Sequence, residues 1–156
     1  MTPNLITPQA LLDYWQGHRR LTRRVLEAFP EDKLFNYSVG GMRPFSDMIK
    51  EFLKMAEPIA HGVATGEWAE FGGNLDAVKS KAELLRLWDE ATEKLATIWP
   101  TIPEHRFAET DKAFGQWENT NLNTILYAID NEVHHRGQAY VYLRGLGVAP
   151  PPFWER

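Results

Sequence analysis

The stretch Asn131-Glu132-Val133-His134-His135-Arg136-Gly137-Gln138, followed by Leu143-Arg144-Gly145-Leu146-Gly147 and Pro150-Pro151-Pro152, decides how this chain is read. It is the second half of a helix predicted over roughly 122–146. Thr120 or Asn121 can cap its start, and Gly147 with the proline run stops it. Leu122, Ile125, Leu126, Ile129, Val133, Tyr140 and Leu143 recur at helical spacing and are expected to face the core. A second face carries Asn131 and His135 at i and i+4, where side chains stack. Thr124, Ala128, Ala139, Tyr142 and Leu146 surround them. Two faces without fixed charge imply cover on both sides: a core on one, and a cleft, a loop or a subunit interface on the other.

Three further helices read outward from this one. The first is predicted over roughly 8–29, with Thr7 as N-cap, Pro8 at N1, and Leu11, Tyr14, Trp15, His18, Leu21, Val25 and Leu26 in one stripe. The second spans roughly 45–65 with Met48, Ile49, Phe52, Met55, Ala56, Ile59 and Val63 inward. Pro58 lies inside it, removes the bond to the Lys54 carbonyl and predicts a kink. The third spans roughly 81–99, where Ser80 and Glu83 form a capping-box pattern ahead of Leu84, Leu87, Trp88, Ala91, Leu95 and Ile98. The connections at 30–44, 66–79 and 100–120 are long. The last carries Phe107, Phe114 and Trp117 and is expected to fold back on the helices. These elements predict an all-α protein, a four-helix bundle forming one domain over 1–156.

Composition narrows function. The 156 residues carry a net charge of -4 with both signs interspersed, so no basic face suits nucleic acid. The cluster His18-Arg19-Arg20 with Arg23-Arg24 reads as a solvated helix face, and His18 as a hydrogen-bonded core histidine. There is no cysteine, which excludes disulfides and thiolate chemistry. No basic and apolar leader is visible at Met1-Thr2-Pro3-Asn4, and no apolar run approaches a membrane span, so a cytoplasmic location without membrane contact is expected. The six Trp, eight Phe and five Tyr are read as packing. No nucleophile elbow, phosphate loop or dinucleotide fingerprint is present.

With the helices in place, the chain resembles the DinB family of the DinB- and YfiT-like metalloenzyme superfamily. The resemblance is carried by Leu11-Leu12-Asp13-Tyr14-Trp15, Phe29-Pro30-Glu31-Asp32-Lys33-Leu34, Met42-Arg43-Pro44-Phe45-Ser46 and Gly66-Glu67-Trp68. It is strongest at His134-His135-Arg136-Gly137-Gln138, Tyr142-Leu143-Arg144, Gly147 and the prolines. It implies an up-down-down-up bundle, often a homodimer. It also implies one nickel or zinc ion between the second and fourth helices, held by three histidines, and in some relatives transfer of small thiols.

Carried onto this chain, the ligand positions fall at Glu51, Asn131 and His135, so only one imidazole remains. A carboxylate, an amide oxygen and an imidazole make a harder and weaker donor set. Two functions follow as expectations. One is a metal-dependent hydrolase or thiol transferase with an altered divalent site. The other is a metal-free, catalytically inactive, stress-related dimeric protein that binds a small molecule, in which Glu51, Asn131 and His135 hydrogen-bond across the old site. Residues alone do not decide whether the chain is an enzyme.

Overall fold

In a computed structural model, residues 5–156 are described; the leader reading at residues 1–4 lies outside them. The helices are α1 (Pro8–Ala28), α2 (Phe45–Leu53), α3 (Ala56–Thr65), α4 (Lys81–Ile98) and α5 (Asn121–Gly145). Two 3-10 turns, Trp99–Thr101 and Glu104–Ala108, lead into an antiparallel hairpin of β1 (Thr110–Ala113) and β2 (Trp117–Thr120).

Local chemistry sets the ends. Thr7 accepts from Ala10 N at 3.1 Å, Ser80 from Glu83 N at 3.2 Å, and Thr120 from Asn123 N at 3.3 Å. The Ser80 box is half made, because the Glu83 carboxylate turns toward Arg86. The predicted second helix is two helices. The break falls at Lys54–Met55, ahead of Pro58 rather than at it. Pro58 cannot donate to the Lys54 carbonyl, and it sits in the first turn of α3, where a missing N–H costs nothing. The chain closes the gap with tight bonds from Lys54 N to Glu51 O and from Met55 N to Phe52 O, both 3.1 Å. This break leaves Glu51 in the last turn of α2.

The main packing pairs are α1 with α4 and α5, and the α2–α3 rod with α4 and α5. Counting that rod as one helix gives a four-helix bundle in which α1 is diagonal to it. One core cluster joins the start of α1, α3, the end of α4 and the start of α5 through Trp15, Ile59, Leu95 and Ile125. The other joins the end of α1, α2, the start of α4 and the end of α5 through Leu26, Met48, Trp88 and Leu143. Directions therefore run up, down, down, up. No helix among the described residues is long and apolar enough to cross a membrane.

Two readings of the interior are corrected. Leu126 and Val133 are not core; they are 37% and 39% exposed. The α1-facing side of α5 instead buries Glu132 and Arg136. Nor is the α1 basic cluster wholly solvated, since Arg19 is buried, lies 4.0 Å over the Trp88 ring and donates to Trp88 O and Thr92 Oγ1. The physical reason is one polar network. Thr22 Oγ1 donates to Glu132 Oε1 at 2.5 Å, and Arg136 donates to His18 O at 3.0 Å and Thr22 Oγ1 at 3.1 Å. Burial pushes the Glu132 carboxyl up while Arg19, Thr22 and Arg136 pull it down. The Thr22 hydrogen bond and the nearby Arg19 and Arg136 charges offset part of the cost of burying Glu132, so this polar face turns inward and Leu126 and Val133 turn outward. His18 is the expected core histidine, its Nδ1 3.0 Å from Arg136 Nη2.

Candidate functional site

Glu51 from α2 and Asn131 and His135 from α5 meet, as their i, i+4 spacing and the α2–α5 packing require. Asn131 Nδ2 donates to Glu51 Oε1 at 2.8 Å. His135 Nε2 is 3.5 Å from the same oxygen. Gln138, one turn further along α5, holds the imidazole: its Oε1 lies 2.7 Å from His135 Nδ1. That contact assigns the proton to Nδ1 and leaves Nε2 turned toward Glu51 and Arg43.

Arg43 is the residue that sequence reasoning missed. It precedes α2 and its carbonyl accepts from the buried Tyr142 hydroxyl at 2.9 Å. Its Nη1 is 2.6 Å from Glu51 Oε2, and its Nη2 is 3.5 Å from His135 Nε2. Arg43 was legible only as part of a family-like stretch; no helical periodicity reaches it.

This arrangement does not fit a divalent metal. A guanidinium already neutralises Glu51. The Asn131 amide turns its NH2, which cannot ligate, toward the carboxylate. Its Oδ1 is buried without a hydrogen-bond partner among the described residues. No group of three or more His, Cys, Asp or Glu side chains among the described residues could hold a metal ion.

Beside these groups opens a cavity of about 720 Å³. Glu51 and Asn131 form part of its polar lining, Met55 and Ile59 its floor, and Phe71, Phe114 and Trp117 an aromatic wall. Phe114 and Trp117 belong to the 100–120 loop expected to fold back on the bundle, Phe71 to the 66–79 connection, and the shape of the wall is fixed by specific contacts. Phe114 takes a left-handed backbone (φ 54°), unusual for a side chain of its size, yet it is buried. Its ring packs at 5.3 Å from Trp68 and 5.2 Å from Phe71, which holds the strained turn in place. Arg106 ties the hairpin to the bundle. It donates to Val63 O at the end of α3 (2.8 Å) and pairs with Asp111, whose carboxylate also accepts from Trp68 Nε1 at 2.9 Å. These bonds hold the Asp111 carboxyl below its usual range despite burial, which raises it.

The fold and its polar centre define a DinB-type helical bundle, and the chain belongs to the DinB family, whose profile matches residues 1–156. It is similar to the uncharacterized protein YjoA of Bacillus subtilis, with 22% identity over 94% of this chain and 95% of that one. The crystal structure of the DinB-like protein YjoA superposes with a TM-score of 0.74 at 18% identity, covering 94% of this chain and 98% of that chain. A DinB-like protein from Bacillus cereus also gives 0.74 at 14% identity, covering 92% and 95%. The mycothiol-dependent maleylpyruvate isomerase gives 0.66 at 13% identity, over 85% of this chain and 61% of that one. At these identities the likeness is one of fold.

Proposed function

We propose that this protein is a metal-free, catalytically inactive binding member of the DinB family. Its ligand is a small molecule with a flat apolar body and a cationic or N–H-donating end. The observation that carries this reading is the Arg43–Glu51 ion pair (2.6 Å), which occupies the carboxylate a metal would need. The cavity supplies the rest. Phe114 and Trp117 offer aromatic surface to a flat body, and Glu118, which also lines the cavity, offers acceptor oxygens to a donor group.

Tryptamine is a suitable probe for NMR titration of the untagged, isotope-labelled protein. It is expected to shift the Trp117 indole and Asn131 side-chain signals, and 2-naphthalenesulfonate to leave them in place. Thr124→Trp, which fills the cavity from α5, should abolish the tryptamine shifts while preserving the melting temperature. Shifts that persist in the filled variant, or no shifts at millimolar tryptamine, would overturn the reading.

A second reading treats Glu51, Asn131 and His135 as a weakened nickel or zinc site of a hydrolase or thiol transferase. Its support is the convergence of the three side chains and the shared fold with a thiol-dependent isomerase. Broadening of the His135 signals at micromolar free nickel would favour it over the metal-free reading.

A further inference from the structure

We infer that a second cavity, set between the α2–α3 break, α4 and the 66–79 connection, binds a free α-amino acid with an aliphatic side chain. Its volume is about 330 Å³, and Phe114, which lines both cavities, divides it from the first. Lys54 and Pro58, the two ends of the helical bond that proline prevents, both line it. Leu53, Leu75 and Leu87 give it an apolar surface, and each is only partly buried by the fold, so aliphatic area stays uncovered there. Gly72 and Gly73 border the cavity, and a Cβ built at either meets nothing within 4 Å, so the connection leaves the entrance clear.

Three unsatisfied groups select the polar end of the occupant. Lys54 O has lost its helical donor to Pro58 and accepts no hydrogen bond among the described residues. The Lys54 ammonium and the Glu57 carboxylate belong to partly buried residues three apart in sequence, yet neither pairs with the other or with any other described group. The remaining charges at the cavity differ. Glu90 is matched by Arg86 at 2.6 Å, and Glu70 and Lys94 stand exposed at the rim. A ligand ammonium fits between Lys54 O and the Glu57 carboxylate, and a ligand carboxylate fits the Lys54 ammonium. In an α-amino acid those two charges are carried on one carbon, which matches acceptors and donor grouped within one turn, and the side chain is then free to cover the leucines. An amine alone would leave the Lys54 ammonium unmatched. A carboxylate alone would leave Glu57 and Lys54 O unmatched.

L-leucine is the probe, because its branched body has no flat face for the aromatic wall of the first cavity. Titrated into the isotope-labelled protein, it is expected to shift the backbone amide signals of Ala69, Gly72 and Gly73 at millimolar concentration. Isoamylamine and isocaproate, which each lack one of its charges, should bind about tenfold more weakly or worse. Glu57→Gln and Lys54→Met should each weaken L-leucine about tenfold while preserving the melting temperature, since both side chains lie at the surface of the cavity. Thr124→Trp, which fills the first cavity, should leave L-leucine binding unchanged, so the two sites stand or fall separately. An absence of shifts at millimolar L-leucine would overturn the inference. So would either analogue binding as well as L-leucine, indifference to Glu57→Gln or Lys54→Met, or loss of binding in Thr124→Trp.

Discussion

Arg43 and Glu51 are joined by a 2.6 Å contact between Nη1 and Oε2, which ties the loop before α2 to the last turn of that helix. The pair is partly open to solvent, and its energetic worth as a surface bridge is small. Its chemical consequence is larger: the carboxylate that faces Asn131 and His135 is already matched by a cation fixed through the Tyr142 hydrogen bond to the Arg43 carbonyl.

Restoring imidazoles should therefore restore metal binding in two stages. The double variant Glu51→His with Asn131→His is expected to bind zinc, and the parent chain is expected to give no saturable binding at micromolar free metal. Adding Arg43→Ala should tighten it further by removing an unpaired cation from beside the ion. Isothermal titration of untagged protein measures both steps. A double variant that stays metal-free would show that the three side chains do not converge as described.

Glu132 is buried between Arg19, Arg136 and Thr22. Its replacement by Ala removes the acceptor of the Thr22 hydroxyl and the negative charge nearest two buried guanidinium groups, and should cost about 1–3 kcal/mol in urea unfolding. Glu132→Gln retains shape and a hydrogen-bond acceptor for Thr22 and is expected to cost less. Equal losses in the two variants would mean that the charge contributes nothing.

His18 sets a pH dependence. Burial first, then the Arg136 and Arg156 guanidinium groups, lower its pKa to about 4 from an ordinary 6.5. The unfolded chain thus binds the proton at a higher pH than the folded one does. The stabilising effect of a neutral His18 is complete above pH 6.5, shrinks as pH falls below that, and is gone near pH 4. Asp89 and Asp111, both lowered by their arginine partners, lose stabilisation in the same direction at lower pH. Urea midpoints of the parent and His18→Gln between pH 7 and 4.5 separate the contributions. The parent should lose more stability than the variant over the upper part of that range, and parallel curves would refute the assignment.

Gly62 has no room for a side chain. A Cβ there would fall 2.4 Å from the Trp68 ring. Gly62→Ala must displace Trp68 from Asp111 and Phe114, and should destabilise the fold by about 1–3 kcal/mol, as overpacking does. Because Phe114 walls the cavity, tryptamine binding should weaken as well. Unchanged stability and unchanged binding would show that Trp68 does not buttress that wall.

Helix starts were legible because capping is local: Thr7, Ser80 and Thr120 each bind an amide three residues on. The pairing of Asn131 with His135 was legible for the same reason, since one helical turn fixes it. The interior of α5 was not. Hydrophobic periodicity places Leu126 and Val133 inward, but the Glu132 carboxylate, bonded to Thr22 and near the Arg19 and Arg136 charges, takes the inward place. The hairpin at 110–120 escaped a periodicity reading because its strands have four residues each, and Phe114 holds its turn through tertiary packing.

By itself, then, the sequence determined the helical segments apart from the break at Lys54–Met55, the all-α bundle, the family likeness and the candidates Glu51, Asn131 and His135. Only the tertiary structure decided what those candidates face. Asn131 meets Glu51 across 80 residues of chain, and Arg43 meets His135 across 92. Contacts at such separation carry no periodic signature; they exist only once the bundle brings the end of α2 beside the middle of α5, and they make Glu51 one half of an ion pair.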